Sequence, residues 1–305
     1  MKKFLMRAAV LLAAVLTVTL SPVGKSDFDR SGQKAFANTF CYMPFYDLKP
    51  QKIVLRAEFS TDYSKSSAER KNNIMLAAKS LDKTLIDVGN EFSFNHTVGE
   101  RTTRRGYKSA KIIVGGEFID GVGGGVCQVS TTLYNAVLLA GLPVSEFHPH
   151  SLKVSYVAPS FDAMVNSGWA DLKFINDTDN PIIIRTAADG KKLTVKIYGE
   201  KRQFDYERKS VVTGSIEPPE KEIITDTACK YPDLFEGESK ILTYPKSGTA
   251  SEGYLLIKKD GKIVDSKKLR KDKYSPTREK VIIGTAKRPI TEEKSQDNLD
   301  SDIIL

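Results

Sequence analysis

The sequence predicts an α+β fold: a mixed, mostly antiparallel sheet with a cysteine-bearing helix, followed by a small all-β domain. Three observations predict it. Strand-like runs outnumber helical ones, and the helices interrupt them irregularly instead of alternating strand by strand, which argues against a doubly wound parallel sheet. A glycine run, Gly121, Gly123, Gly124 and Gly125, leads directly into a helical stripe that begins at Cys127. Near the C-terminus two alternating runs meet at Asp260-Gly261, the dipeptide of a tight hairpin turn in which both positions must tolerate positive φ.

In chain order, Lys52 to Phe59 reads as a strand, and Ser66 and Glu69 have capping-box spacing before a helix with Ile74, Ala77, Ala78 and Leu81 on its apolar face. Asn90 to Asn95 alternates as a short strand, with a turn over Gly99 to Thr102. A strand from Tyr107 to Phe118 turns at Gly115-Gly116. The helix after Cys127 places Val129, Leu133, Ala136, Val137 and Ala140 on one stripe and stops at Gly141, with Pro143 just beyond. Ser151 to Val157, Ala170 to Ile175, Pro181 to Thr186 and Lys192 to Tyr198 read as further strands. The expected division is a signal peptide or membrane anchor over 1–25, a linker over 26–49, a catalytic domain over 50–200, a β domain over 203–286 and a disordered tail over 287–305.

The N-terminus carries Lys2, Lys3 and Arg7 ahead of the apolar run Ala8 to Leu20, broken by Ser21-Pro22. That run is short for a membrane span and suits the core of a secretory signal, so the chain is expected on the outer face of the membrane or in the cell wall. Cysteines at 41, 127 and 229 are too few for a disulfide framework, and an odd number leaves a thiol unpaired; a Cys41–Cys229 bridge with Cys127 free is the plain assignment. The formal charge of +8 suits an anionic partner, which for an exported protein means wall polymers or lipid headgroups. Without an aromatic-interleaved basic cluster, nucleic acid is not expected as a partner.

The chemistry concentrates at Cys127. In the first turn of a helix, unpaired N–H groups and the positive end of the dipole favour thiolate over thiol, and can also hold an oxyanion, with Gly124, Gly125 and Gln128 around it. A cysteine in a helix is more often a small buried hydrophobe; the preceding glycines and the later histidines shift the reading toward a nucleophile. His148 and His150 lie in the segment that returns after the helix, and a Cys–His pair is the minimal apparatus of acyl transfer. Asp162, Asp171 and Tyr156 are the candidates to orient the histidine. The same two histidines could ligate zinc, but no third ligand has suitable spacing, so neither metal nor other cofactor is expected. His96 reads as a surface or packing residue. Arg101, Arg104 and Arg105 read as a solvated turn, or Arg101 as a partner for a substrate carboxylate.

These residues resemble a known family. Gly99 to Thr102, Gly106-Tyr107, Gly123 to Ala136 around Cys127, Ala140 to Leu142, His150-Ser151, Tyr156, Asp162-Ala163 and Asp171 to Asn176 occur as ordered blocks similar to the VanW domain, over about residues 50 to 199. Residues 203 to 286, with Gly237, Gly248, Gly253, Gly261 and Gly284 in order, resemble a five-glycine domain of bacterial surface proteins. The first resemblance implies a role in peptidoglycan, through L,D-transpeptidase chemistry with Cys127 as nucleophile and His150 as the histidine of the family's His-Ser block. The second implies binding to cell-wall sugars. Together they imply stem peptides and glycan as partners, with cysteine peptidase or amidase activity, or a non-enzymatic resistance accessory, as the competing readings.

Overall fold

The computed structural model describes residues 53–288; the expected signal, linker, Cys41 and all but the first two residues of the tail lie outside them. The described residues are mostly β, 43% strand against 16% helix, so the few helices are inserted between strands. The strands form several small sheets where the sequence suggested one. A four-stranded antiparallel sheet has the order β1–β9–β8–β2, from Val54–Asp62, Lys192–Gly199, Ile182–Ala188 and Thr84–Ile86. A second, small antiparallel sheet joins β3 (Glu91–Ser93), β7 (Lys173–Ile175) and β6 (Val144–Glu146). The hairpin β4–β5 (Ser109–Val114, Glu117–Val122) turns at Gly115-Gly116 and takes Gly121 into its second strand, opposite Ala110.

Two long helices cover the four-stranded sheet. In α1 (Ala68–Leu81), Ile74, Ala77, Ala78 and Leu81 are buried as their spacing requires. Its cap is Ser67, whose side chain accepts from the Arg70 N–H, one residue later than the Ser66–Glu69 spacing indicated. A five-residue helix, α2 (Phe94–Val98), follows β3 where the sequence suggested only strand and turn. The helix α3 (Val126–Ala140) packs against β1, β9 and α1 and is buried on nearly every side. It ends in a Schellman motif: the N–H groups of Gly141 and Leu142 return to Leu138 and Val137, with Gly141 at φ 75°.

The alternation over Ser151 to Val157 does not produce a strand. Residues 147–172 carry no helix or strand and cross the end of α3 as an ordered connection. Their backbone is held by buried polar groups of α3: Asn135 Nδ2 donates to Phe161 O (2.8 Å), Thr131 Oγ1 accepts from Ala163 N (2.9 Å), and Ser130 Oγ donates to Ala163 O (2.6 Å). Satisfied in this way, polar side chains inside a buried helix fix one path for the segment beside it.

The C-terminal module is all β. One antiparallel sheet has the order β10–β13–β14 (Asp205–Ile216, Gly248–Lys259, Lys262–Tyr274), with Asp260 and Gly261 at φ 50° and 75° in its hairpin. The other joins β11 (Glu222–Thr225), β15 (Lys280–Ile283) and β12 (Ser239–Thr243), with β11 and β15 parallel. The boundary near Lys201 is not a loose joint. Arg208 lies over the rings of Phe59 and Phe161 and hydrogen-bonds Asn135 of α3, and Ser210 Oγ donates to Pro159 O at 2.7 Å.

Candidate active site

Cys127 is the second residue of α3, half-buried, behind a glycine run whose last member, Gly125, caps the helix at φ 110°. The glycine at 124 is required by packing: a Cβ there would lie 2.7 Å from Lys111 O. Buried Asn73 of α1 holds this loop, donating to Lys108 O (2.8 Å) and Gly124 O (3.0 Å) while accepting from Lys108 N (2.8 Å). Of the first three helical N–H groups, those of Val126 and Gln128 turn back to Gly123 O (3.1 Å) and Gly125 O (3.0 Å). The Cys127 N–H has no acceptor among the described residues, which makes it the donor available to an oxyanion at the helix start.

His150 is buried, and its Nδ1 is 2.7 Å from Asp162 Oδ2. Its backbone N–H donates to the same oxygen at 2.7 Å, so the carboxylate fixes both ring and main chain. The other ring nitrogen is left for the Cys127 side chain, with which His150 interacts electrostatically, while the thiol itself donates to Val165 O at 3.3 Å. Cys127, His150 and Asp162 are therefore in series: nucleophile, base and orienting carboxylate.

The electrostatics follow from that series. Burial alone would push the Cys127 thiol up; the hydrogen bond and positive charge of His150, helped by Arg101, outweigh it and hold the thiol below its ordinary value. Burial opposes charging His150, yet the hydrogen bonds to Asp162 and Cys127 push its pKa up to about 9. Asp162 would be raised by burial but is held below the usual carboxylate range by His150 and Arg270. Both shifts favour thiolate over thiol and imidazolium over imidazole, the reactive form of a cysteine nucleophile.

The other residues marked by sequence have separate places. Asp171 does not orient the histidine: its carboxylate accepts from Ser93 Oγ (2.5 Å), Asn95 N (2.9 Å) and Leu172 N (2.8 Å), anchoring the start of α2. His148 is bonded through Nε2 to Glu146 (3.0 Å) and packs edge-on to Trp169, ring centroids 5.0 Å apart. Gln128 cannot contribute to an oxyanion site, because its Nε2 is spent on Thr61 Oγ1 (3.0 Å) and Asp62 O (2.9 Å), its Oε1 accepts from Arg70 (2.7 Å), and its own N–H is used. Burial together with the nearby Cys127 charge pushes the Tyr156 phenol far up, leaving a neutral hydroxyl near the thiol. Arg101 donates to Asn95 Oδ1 (2.6 Å) and, weakly, to Ser167 Oγ (3.4 Å). Arg105 is committed to Val98 O and Glu100 O, and His96 is exposed on α2. Cys229 is an exposed free thiol.

Sequence reasoning missed four contributors. Arg70, on α1, faces the thiol and holds Gln128. Trp169, 67% exposed, stands on the short loop whose Val165 O lies 3.3 Å from the Cys127 sulfur. Arg270 and Tyr274 reach Asp162 from β14. A lone tryptophan flanked by Gly168 was a usable signal for the second; nothing in the sequence connects the last two to a residue more than a hundred positions earlier.

Residues 69–198 match the family model described as VanW like protein, and residues 207–286 match the G5 domain. The chain carries a VanW-like domain followed by a C-terminal G5 domain. The "Uncharacterized protein YoaR" of Bacillus subtilis (strain 168) is 40% identical over 187 residues, covering 54% of this chain and 61% of that protein. The "Vancomycin B-type resistance protein VanW" of Enterococcus faecalis (strain ATCC 700802 / V583) is 32% identical over 136 residues, 43% of this chain and 49% of that protein. The matches thus span less than two thirds of either relative's length. Among solved structures, an IgA1 protease G5 domain aligns with 28% of this chain at 24% identity and a TM-score of 0.19, and HP0197-G5 with 27% at 20% identity and 0.15. The VanW-like match contains the whole Cys127–His150–Asp162 series, and the G5 match contains Arg270 and Tyr274. No helix among the described residues is long and apolar enough to cross a membrane.

Proposed function

We propose that this protein is an extracytoplasmic cysteine acyltransferase of the cell wall, an L,D-transpeptidase that crosslinks peptidoglycan stem peptides through a thioester on Cys127. The observation that carries the reading is the buried Asp162–His150 pair, whose second ring nitrogen is left for a thiol at a helix start. The VanW-like and G5 domains, and a relative named for vancomycin resistance, favour the wall as its place and link it to glycopeptide resistance.

The Cys127 thiolate attacks the carbonyl of the third residue of a tetrapeptide stem, and the developing oxyanion takes the Cys127 N–H. His150, charged at the start, gives its Nε2 proton to the departing amine of the terminal D-alanine as the C–N bond breaks, leaving a thioester and a neutral imidazole. An acceptor amine of a second stem then attacks the thioester, His150 takes its proton, and collapse expels the thiolate. The new amide closes the cycle with thiolate and imidazolium restored. Tyr156 stays neutral throughout and serves as a hydroxyl donor, and exposed Trp169 offers a flat ring for a sugar or stem at the rim.

Water in place of the amine would turn the same residues into a peptidase, so product mass decides. With a purified disaccharide-tetrapeptide, transfer yields a dimer lacking one D-alanine, and hydrolysis yields a shortened stem. Full crosslinking by a Cys127→Ala protein would overturn the reading, and would leave a wall-binding accessory with a structural thiol.

A further inference from the structure

Asp162 is buried, at 1% exposure, and each of its carboxylate oxygens is satisfied, from two directions. Oδ2 faces His150 and accepts two bonds from it. Oδ1 faces the G5 domain: it accepts from Tyr274 Oη at 2.5 Å and lies 3.3 Å from Arg270 Nη2. Arg270 Nη1 also donates to Asp162 O at 2.6 Å, while its Nε is held by Asp272 at 2.6 Å.

Strands β13 and β14 shape the backbone around the acid. Ser160 holds φ 63°, a left-handed conformation that a non-glycine residue keeps only when its surroundings hold it. Its N–H donates to Tyr274 Oη (2.7 Å), its hydroxyl pairs with Ser251 Oγ (2.8 Å), and Gly253 leaves room for its carbonyl, which a Cβ there would approach to 2.8 Å. Ser275 N donates to Ser151 O at 2.7 Å, beside His150. The end of β14 thus holds the main chain on both sides of the His150–Asp162 pair.

We propose that strand β14 of the G5 domain is a structural part of the catalytic site, with Arg270 and Tyr274 as positioning residues that keep Asp162 ionised and aimed at His150. The G5 domain then does more than tether the VanW-like domain to the wall: the nucleophile depends on it. The inference rests on the Cys127–His150–Asp162 reading but not on the identity of the substrate. A buried carboxylate that loses these partners takes up a proton more readily, an uncharged acid no longer supports the imidazolium, and the thiol regains its proton.

The test is the pH profile of Cys127 alkylation by iodoacetamide in the full chain, resolved by peptide mass spectrometry so that the other thiols do not interfere. Tyr274→Phe and Arg270→Gln are expected to raise the midpoint by about one pH unit, or roughly tenfold slower alkylation below it. Arg270→Lys is expected to raise the midpoint less than Arg270→Gln does, and Ser210→Ala, which removes another contact between the two domains, not at all. Tyr274→Phe carries the test if Arg270→Gln fails to fold. A shift in Asp162→Asn without one in Tyr274→Phe or Arg270→Gln overturns this inference alone. An equal shift in Ser210→Ala also overturns it, because the effect would then be general loosening. No shift in Asp162→Asn breaks the underlying triad instead.

Discussion

His148 and His150 lie two residues apart in one irregular segment, and their surroundings differ in every respect that matters to catalysis. His148 is half-buried against a carboxylate that also pairs with Lys173, and its ring leans on the exposed Trp169. His150 is closed in between a thiol and a buried carboxylate that is itself held by a second domain. The same contrast separates their acids. Asp171 anchors a short helix, whereas Asp162 faces an imidazole. Spacing from Cys127 does not distinguish the two histidines; burial and the partner on the far side of the ring do.

The largest effect expected is on removing the inner histidine. His150→Ala should lower kcat/KM for stem-peptide turnover on the order of 10³-fold or more, while His148→Ala should stay within about fivefold, the scale of a partly exposed ion pair worth ~1 kcal/mol at most. Steady-state kinetics on both variants checks this, and equal losses would break the distinction. Next come the acids. Asp162→Asn should cost about 10²-fold or more in kcat, with a stability loss of ~1–3 kcal/mol from a buried hydrogen-bond network left part-satisfied, Arg270 keeping Asp272 as its acid. Asp171→Asn should leave kcat near wild type and cost only ~1 kcal/mol, as the loss of a helix cap does. Denaturant melts paired with rates separate the two outcomes.

The smallest effect is on pH. His150 is raised to about 9 in the folded chain from an ordinary 6.5, so its contribution to stability is fully present below pH 6.5 and is lost as pH rises through about 9. Activity should share that alkaline limb, because the leaving amine needs the imidazolium proton. A His150→Ala protein should lack the limb in its thermal-melt profile, and a His148→Ala protein should keep it.

Much of this was legible beforehand. The stripe from Val129 to Ala140, with Gly141 as its stop, specifies α3, and Ile74, Ala77, Ala78 and Leu81 specify the inner face of α1, because helical periodicity is a local signal. Cys127, His150 and Asp162 stood out by residue type and setting. The choice of Asp162 over Asp171 was not legible, since it depends on how Asn135, Thr131 and Ser130 pin the intervening backbone. Ser151 to Val157 alternates like a strand but finds no neighbour to pair with, so its alternation reports one-sided burial in an irregular segment. Gln128 looked free at the helix start, yet its amide is consumed by contacts with β1 and Arg70 that no local pattern reveals. The contribution of β14 is a contact between distant parts of the chain and lies beyond any local reading.

The claim on which the rest depends is covalent catalysis at Cys127. The direct measurement is intact and peptide mass of the full chain after rapid acid quench during turnover of a disaccharide-tetrapeptide. An adduct is expected on the Cys127 peptide equal in mass to the disaccharide-tetrapeptide minus D-alanine, lost on adding hydroxylamine and absent from Cys127→Ala. Release of D-alanine at the wild-type rate by Cys127→Ala, with no mass ever added at that position, would contradict it.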